Sequence, residues 1–356
     1  MKTFHCVCGN TLYFENSMCL KCGRELGFIV EERFVGPIEP ASESSWRSLD
    51  NGKLYRKCYN NTKYQVCNWL VPIDDENQYC VSCRLNHIIP NLTEERNLNL
   101  WYRIETAKRR LIYTLKGLGL PLLGRSQNNI NGLAFQFMEN ESPVDEFDSN
   151  LSEHHHVMTG HTAGMITINI VEAEHSSREE IREKMNERYR TLIGHFRHES
   201  GHYYWQLLVS SDSQRLSDFR RLFGDERQNY NKALSHYYNK GPRYDWPDDC
   251  ISAYASSHPW EDWAETWAHY LHMIDTLETA EDYGFVQVQS PQTSDTVTAP
   301  HSLRDLLLVW ERLALGLNSL NRSLGLTDAY PFSITEPVAQ KLQFIHTLIQ
   351  DTVSSN

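Results

Sequence analysis

Residues 189–207 read Tyr189-Arg-Thr-Leu-Ile-Gly-His-Phe-Arg-His198-Glu199-Ser200-Gly201-His202-Tyr203-Tyr-Trp-Gln-Leu207. The apolar residues around the His-Glu-x-x-His core predict a helix, and positions i and i+4 share one face of a helix. His198 and His202 can therefore present two imidazoles to one metal ion. Glu199 lies beside that face and can reach a water molecule at an open coordination position. Two histidines leave a third protein ligand to be found elsewhere in the chain.

A second predicted helix offers carboxylates for that position. Pro259 suits the first turn of a helix, and Glu261 and Glu265 follow one turn apart on one face. An alanine stands three residues after each glutamate, and these small side chains would let the helix pack closely on its neighbour. We expect the two nearby histidines to be hydrogen-bonded core or cleft residues rather than ligands: His258 and His269.

Eight of the nine cysteines form two quartets near the N-terminus, and each quartet ends in Cys-x-x-Cys. The first residues lack the apolar region of a secretory signal, so we expect a reducing compartment, where four-thiolate zinc is favoured over disulfides. A zinc ion bound by four thiolates has no open coordination position, so its role is expected to be structural. It would stabilise a segment of about 90 residues whose hydrophobic core is too small to do so alone. Redox-active or iron–sulfur cysteines are the alternatives, and Cys250 is expected to be a small apolar residue. The quartets are Cys6, Cys8, Cys19 and Cys22, and Cys58, Cys67, Cys80 and Cys83.

Composition limits the classes of function. The 356 residues are 40% hydrophobic, which excludes wholesale disorder, and 34 basic against 46 acidic side chains give a net charge of −12. Nucleic acid is not favoured as a partner, because the cysteine-rich residues 1–95 also carry 10 basic against 12 acidic side chains. No apolar run approaches the roughly 20 residues of a membrane-spanning helix. We expect a cytoplasmic protein without a membrane anchor.

The chain reads as an α+β protein with a β-rich segment over residues 1–95 and a mainly helical part over 96–356. Helical spacing over 96–120 predicts a helix with four basic residues between its apolar positions: Arg103, Lys108, Arg109 and Arg110. We expect these basic residues to form a solvated face, with contact to an acidic partner as the alternative. Strands are predicted over 133–138 and 165–171 from β-branched and aromatic content. The remaining predicted helices are 177–209, 213–223, 228–239, 259–280, 301–321 and 335–350.

Further motifs extend over nearly the whole chain. They are Cys67-Asn-Trp-Leu, Cys80-x-x-Cys83-Arg-Leu-Asn, Ala107-Lys-Arg-Arg-Leu, Gly164-x-Ile166-Thr-Ile-Asn, Phe223-Gly224-Asp225-Glu226 and His258-Pro-Trp-Glu-Asp-Trp-Ala-Glu-Thr-Trp-Ala-His. With them the chain resembles a bacterial family of zinc-binding metallopeptidases that carry a zinc-ribbon domain. The resemblance implies a zinc ribbon over 1–95, a zincin-like domain over 96–356, and a peptide or protein substrate of unspecified sequence.

The second helix is similar to that of the glutamate zincins, and its Tyr-x6-Glu-x-x-Ala-Glu pattern resembles the lethal-factor-like branch. This resemblance implies that Glu261 is the third zinc ligand, that Tyr254 stabilises the tetrahedral intermediate, and that Glu265 orients a histidine. The alternative assigns the zinc to Glu265 and leaves Glu261 at the surface.

These inferences predict a metallopeptidase in which Glu199 is the general base, with one catalytic and two structural zinc ions. By analogy with zincins, the strand over 165–171 would pair with an extended substrate. Two other functions remain open: an adaptor that binds a protein partner through its zinc ribbon and carries a non-catalytic peptidase fold, and a hydrolase of non-peptide amides.

Overall fold

The computed structural model describes residues 1–126, 129–139, 159–184, 190–287 and 302–354. The chain divides into two units, one of residues 2–117 and 121–196, the other of Met1, 118–120 and 197–356. The predicted α+β fold is confirmed: a strand-rich region that holds eight cysteines is followed by a mostly helical part with a small sheet. The predicted division at residue 95 stays a prediction.

The cysteine-rich segment is built from short antiparallel strands. Two of them form a hairpin, and the next five form a meander in which each strand pairs with its neighbour in sequence. In chain order the strands are β1 (Phe4–His5), β2 (Thr11–Leu12), β3 (Glu25–Ile29), β4 (Phe34–Pro40), β5 (Trp46–Ser48), β6 (Leu54–Lys57) and β7 (Leu70–Pro72). A one-turn helix, α1 (Tyr59–Thr62), separates the last two.

An aromatic core joins these strands to the long helix α2 (Glu95–Gly117). The ring of Phe28 lies 4.6 Å from that of Trp69 and 5.0 Å from that of Phe14, centroid to centroid. Tyr113 of α2 packs its ring edge against Phe14 at 5.4 Å. All four side chains are buried, so α2 shares a core with the cysteine-rich segment within this unit.

The prediction of a solvated basic face on α2 is wrong for two of its four residues. Lys108 and Arg109 are 0% and 1% exposed. The Lys108 ammonium lies 3.0 Å from the buried Glu105 carboxylate, and Arg109 donates to the main-chain carbonyl of Val66. Both cations are buried because the groups they neutralise or satisfy are buried as well. A prediction from the spacing of apolar residues cannot recognise such positions, because it assigns every positively charged side chain to the surface.

A four-stranded sheet completes this unit, in the order β10-β11-β9-β8. Its strands are β8 (Asn86–Ile88), β9 (Ala134–Met138), β10 (Gly160–Thr162) and β11 (Met165–Asn169). The predicted strand over 165–171 thus ends at Asn169, whose side chain accepts from the Val171 amide and starts a 3₁₀ turn. Strand β11 is parallel to β9 and antiparallel to β10. Because both edges of β11 are occupied, the expectation that it pairs with a substrate is wrong.

Helices dominate the rest of the chain. The predicted helix over 177–209 is wrong as a single helix, because residues 190 and 191 are not helical and the Thr191 hydroxyl accepts from the Gly194 amide at the start of a new helix. No helix in the described part of the chain combines the length and apolar content needed to cross a membrane. The helices are α3 (His175–Lys184), α4 (Leu192–Leu208), α5 (Ser213–Phe223), α6 (Tyr230–Lys240), α7 (Trp246–Asp249), α8 (Pro259–Asp282), α9 (Leu303–Ser323) and α10 (Glu336–Ser354).

Helices α4 and α8 approach each other closely at Gly201. A Cβ atom at this position would lie 3.0 Å from the Cα atom of Ala264 and 3.2 Å from the Trp267 side chain. Two indole N–H groups of α8 fix the contact: Trp263 donates to the Gly201 carbonyl at 2.8 Å, and Trp267 donates to the Ser200 hydroxyl at 3.2 Å. The two small residues between the histidines are therefore the surface on which α8 packs.

Replacing Gly201 by Ala tests this close contact. Overpacking costs about 1–3 kcal/mol, while alanine gains about 1 kcal/mol in a helix interior, so the free energy of unfolding should fall by up to about 2 kcal/mol. The control is Gly316→Ala on the exposed face of α9, where a Cβ meets nothing within 4 Å and should add about 0.5–1 kcal/mol. Urea unfolding measures both, and equal stabilisation by the two variants would contradict the packing described.

The buried Arg109 predicts an asymmetry between two adjacent arginines. Arg109→Met should lower the free energy of unfolding by about 3–5 kcal/mol, because it leaves buried partners without their cation. Arg110 pairs with Glu15 and its side chain is 42% exposed, so Arg110→Met should change stability by about 1 kcal/mol or less. Urea unfolding at fixed zinc concentration measures the free energy of unfolding of both variants. Comparable decreases in the two would show that Arg109 is not the buried arginine of the pair.

Candidate metal centres

Each predicted cysteine quartet converges on a point. In the first, the Sγ atoms of Cys6 and Cys22 lie 3.6 Å apart and those of Cys8 and Cys19 lie 3.7 Å apart. All four sulfurs of each quartet lie within 4.8 Å of one another. Sulfur atoms about 2.3 Å from a tetrahedral zinc ion would be about 3.8 Å apart. The quartets therefore have the dimensions of four-thiolate zinc sites, and all eight cysteines are free of disulfides.

Two glycines close the turns of the first quartet. Gly9 and Gly23 have φ angles of +78° and +71°, which suit residues without a Cβ atom. The Gly9 amide donates to the Cys6 carbonyl and the Gly23 amide donates to the Cys19 carbonyl. These tight turns bring the sulfurs of each Cys pair to the same side of the loop.

The second quartet is fully buried, and its spacing of eight residues between Cys58 and Cys67 does not prevent closure. The Sγ atoms of Cys67 and Cys80 are 3.8 Å apart. Burial by itself raises the pKa of Cys67, but hydrogen bonds from the other thiols and the positive charge of Arg109 outweigh it and hold that pKa well below its usual range. The cation on α2 thus stabilises negative charge on this cluster.

The third cluster lies between α4 and α8. The side-chain donor atoms of His198, His202 and Glu261 all lie within 4.8 Å of one another. Glu261 Oε2 is 3.0 Å from His198 Nε2, and Glu261 Oε1 is 3.5 Å from His202 Nε2. The carboxylate is 1% exposed, yet Oε2 has no hydrogen-bond partner among the described residues. A buried carboxylate oxygen without a hydrogen bond, beside two imidazole nitrogens, fits a metal ligand.

Glu265 contacts the opposite side of the same imidazole. Its Oε1 lies 2.7 Å from His198 Nδ1, and its Oε2 accepts from the Ser252 hydroxyl at 2.6 Å. A carboxylate on Nδ1 fixes the ring so that Nε2 faces Glu261. The alternative placed Glu261 at the surface, but this residue is buried. Glu265 contacts His198 Nδ1, the position from which a carboxylate can orient the imidazole ring.

The charges of this cluster are strongly coupled. Burial would lower the pKa of His198, but Glu261 and Glu265 outweigh it and raise that pKa well above its usual range. Burial would likewise raise the pKa of Glu261, and the two histidines hold it well below normal instead. Without a metal ion, the imidazole of His198 is thus paired with two carboxylates.

Glu199 and Tyr254 lie beside the cluster. Glu199 is buried, and the loss of solvation raises the pKa of its carboxyl group despite the neighbouring histidines. Tyr254 begins a 3₁₀ turn, and its ring centroid lies 5.9 Å from that of His198. The sequence predicted the positions of both, and their roles stay predictions.

Two residues of this cluster were not predicted as site residues. The Tyr230 hydroxyl donates to Glu261 Oε1 at 2.7 Å, and Ser252 holds Glu265 as described. No spacing in the sequence pointed to Tyr230, which begins a separate helix 31 residues before Glu261. His258 caps α8 by accepting from the Trp260 amide, and His269 lies 2.8 Å from the Tyr330 hydroxyl, so both are hydrogen-bonded histidines as expected.

Comparisons with known proteins give the family of the chain. A family model described as putative zinc-binding metallo-peptidase matches residues 97–348, and a zinc-ribbon model matches residues 3–94. Relatives include uncharacterized proteins of Mycobacterium bovis and Mycobacterium tuberculosis, each 40% identical over 352 residues, which cover 99% of this chain and 96% of the relative. No solved structure matches the chain. With a zinc ribbon at residues 3–94, the chain belongs to the family of putative zinc-binding metallo-peptidases.

Proposed function

We propose that the chain is a zinc-dependent peptidase that hydrolyses amide bonds of peptides or proteins. The observation that carries the proposal is the convergence of His198, His202 and the buried Glu261 on one point, with Glu199 buried beside them. Two imidazoles and one carboxylate form a common ligand set of catalytic zinc and leave a position open for water or substrate.

His198, His202 and Glu261 would hold the catalytic zinc. Zinc bound there would act as a Lewis acid that lowers the pKa of water to about 7 and polarises a carbonyl group. The contact of Glu265 with His198 Nδ1 supports Glu261 as the third zinc ligand. The proton of the ring then sits on Nδ1, and Nε2, which faces Glu261, is free to bind a metal.

Glu199 is the proposed general base. It takes a proton from the attacking water and later passes it to the nitrogen of the leaving amine, so that the amide is split into an acid and an amine. Its burial favours this role, since a raised pKa brings a carboxyl group closer to the pH at which it must accept and release a proton.

Tyr254 is the proposed donor to the carbonyl oxygen as negative charge develops on it. Burial keeps its pKa well above the usual range, so that its hydroxyl retains the proton that it would donate. Its ring centroid lies 5.9 Å from that of His198, which places it beside the proposed zinc ligands.

The two cysteine quartets are the proposed structural zinc sites. Each offers four thiolates and no open position, so zinc there would stabilise the fold without taking part in hydrolysis. The Sγ–Sγ distances of 3.6–3.8 Å support this assignment.

The protein should carry about three zinc ions per chain, two in the cysteine quartets and one at the histidine cluster. Elemental analysis of protein purified without added metal measures this ratio. Cys22→Ser should lose about one zinc ion and expose the N-terminal segment to proteolysis, since ligation there replaces burial. One zinc ion per chain, or iron with visible absorbance, would contradict the assignment.

Glu199→Gln separates proton transfer from metal binding. The variant should retain about three zinc ions, while cleavage of a peptide library falls by about 10²- to 10⁴-fold, as for other lost general bases. Tyr254→Phe should also retain zinc and slow turnover by about 10²- to 10³-fold. His202→Ala should lose the third zinc ion.

Glu311→Gln, an exposed glutamate of α9, is the matched control for the loss of one carboxylate and should have wild-type activity. If Glu199→Gln loses zinc, Glu199 is a ligand and the mechanism is wrong. If the wild type cleaves nothing and Glu199→Gln binds a physiological protein partner as wild type does, the chain is an adaptor.

A further inference from the structure

The hydroxyl of Tyr230 is the only described donor to Glu261 outside the histidine pair. It donates to Oε1 at 2.7 Å, and the other oxygen, Oε2, is the buried atom without a hydrogen bond. The two oxygens of this carboxylate are thus differentiated: one is hydrogen-bonded to a phenol, and the other is 3.0 Å from His198 Nε2.

We propose that Tyr230 is a positioning residue that orients the Glu261 carboxylate for the metal. This inference rests on the proposed function, because it concerns the same zinc site. A carboxylate rotates freely about its last bond unless hydrogen bonds fix it, and hydrogen bonds to metal ligands contribute to metal affinity. With Oε1 held by the phenol, Oε2 remains beside His198 Nε2 as the oxygen available to be a single ligand atom.

The segment that carries Tyr230 is tied to the helix that carries Glu261. His258 Nδ1 accepts from the Trp260 amide in the first turn of α8, so the ring proton lies on Nε2, which donates to the Gln228 carbonyl at 3.2 Å. The Tyr230 ring also packs edge-on against His258 at 5.2 Å. One buried histidine thus fixes both the start of α8 and the chain just before Tyr230.

The rest of α6 does not depend on this hydroxyl for its packing. None of its eleven residues, all of which the structure describes, is buried. Its start is capped independently, since the Asn229 side chain accepts from the Lys232 amide at 2.9 Å. Removing one phenolic oxygen therefore takes away the contact with Glu261 and little apolar burial, so the fold should persist, with the loss in stability limited to that one hydrogen bond, while metal affinity falls.

Tyr230→Phe tests this role. Competition with a chromophoric chelator should show that zinc dissociates from the histidine cluster about 10- to 100-fold more readily, as is typical when a partner of a metal ligand is lost. Zinc in the cysteine quartets should be unaffected, and the protein stripped of its third zinc ion should keep the circular dichroism spectrum of the wild type treated in the same way. Cobalt in place of zinc should have an altered visible spectrum, which reports ligand geometry without any assay of activity.

Tyr237→Phe is the matched control, because Tyr237 lies on the same helix and packs its ring against Tyr254 at 5.7 Å. It should bind the third zinc ion as wild type does. Wild-type affinity in Tyr230→Phe, or equal weakening in Tyr237→Phe, would overturn the role of the Tyr230 hydroxyl while leaving the peptidase proposal intact. A wild-type protein that binds no third zinc ion would instead defeat the proposed function, and this inference with it.

Discussion

The close approach of α4 and α8 at Gly201 is the constraint on which the histidine cluster depends. Helix α4 carries both imidazoles and α8 carries Glu261, so the distance between these two helices decides whether the carboxylate meets the rings. A Cβ atom at Gly201 would already be 3.0 Å from the Ala264 backbone. Ser200 and Gly201, the two small residues between the histidines, therefore carry none of the proposed chemistry, but they set the distance at which a carboxylate from α8 meets both rings.

Burial of so many ionisable groups links the site to the stability of its own unit. Glu199, Glu261 and His202 are buried and His198 and Glu265 are half-buried beside them. Buried charges are costly unless they are paired. Without metal, His198 is held between Glu261 and Glu265, and its pKa is raised accordingly. A dication would take over the pairing of Glu261 and release His198 as a neutral ligand, so zinc binding should also stabilise the fold.

The sequence predicted the parts of this account that depend on local pattern. The histidine spacing, the proline before Glu261 and the paired cysteines each reflect geometry within a few residues, and the structure brings those side chains together. Contacts between distant segments left no such pattern. Tyr230 belongs to another helix than the residue it contacts. Lys108 and Arg109 are buried because the groups they pair with are buried. Strand β11 is an inner strand because β10 and β9 flank it. Thr191 interrupted a helical pattern with a cap that apolar spacing does not reveal.

Anomalous diffraction at the zinc absorption edge would show whether His198, His202 and Glu261 bind a zinc ion, because it locates the metal without any assumption about substrate. We expect a zinc peak about 2.0–2.2 Å from a nitrogen of His198, a nitrogen of His202 and one oxygen of Glu261, with Glu265 hydrogen-bonded to the other nitrogen of His198. A peak ligated by Glu265 or Glu199, or no peak in zinc-replete crystals, would contradict it.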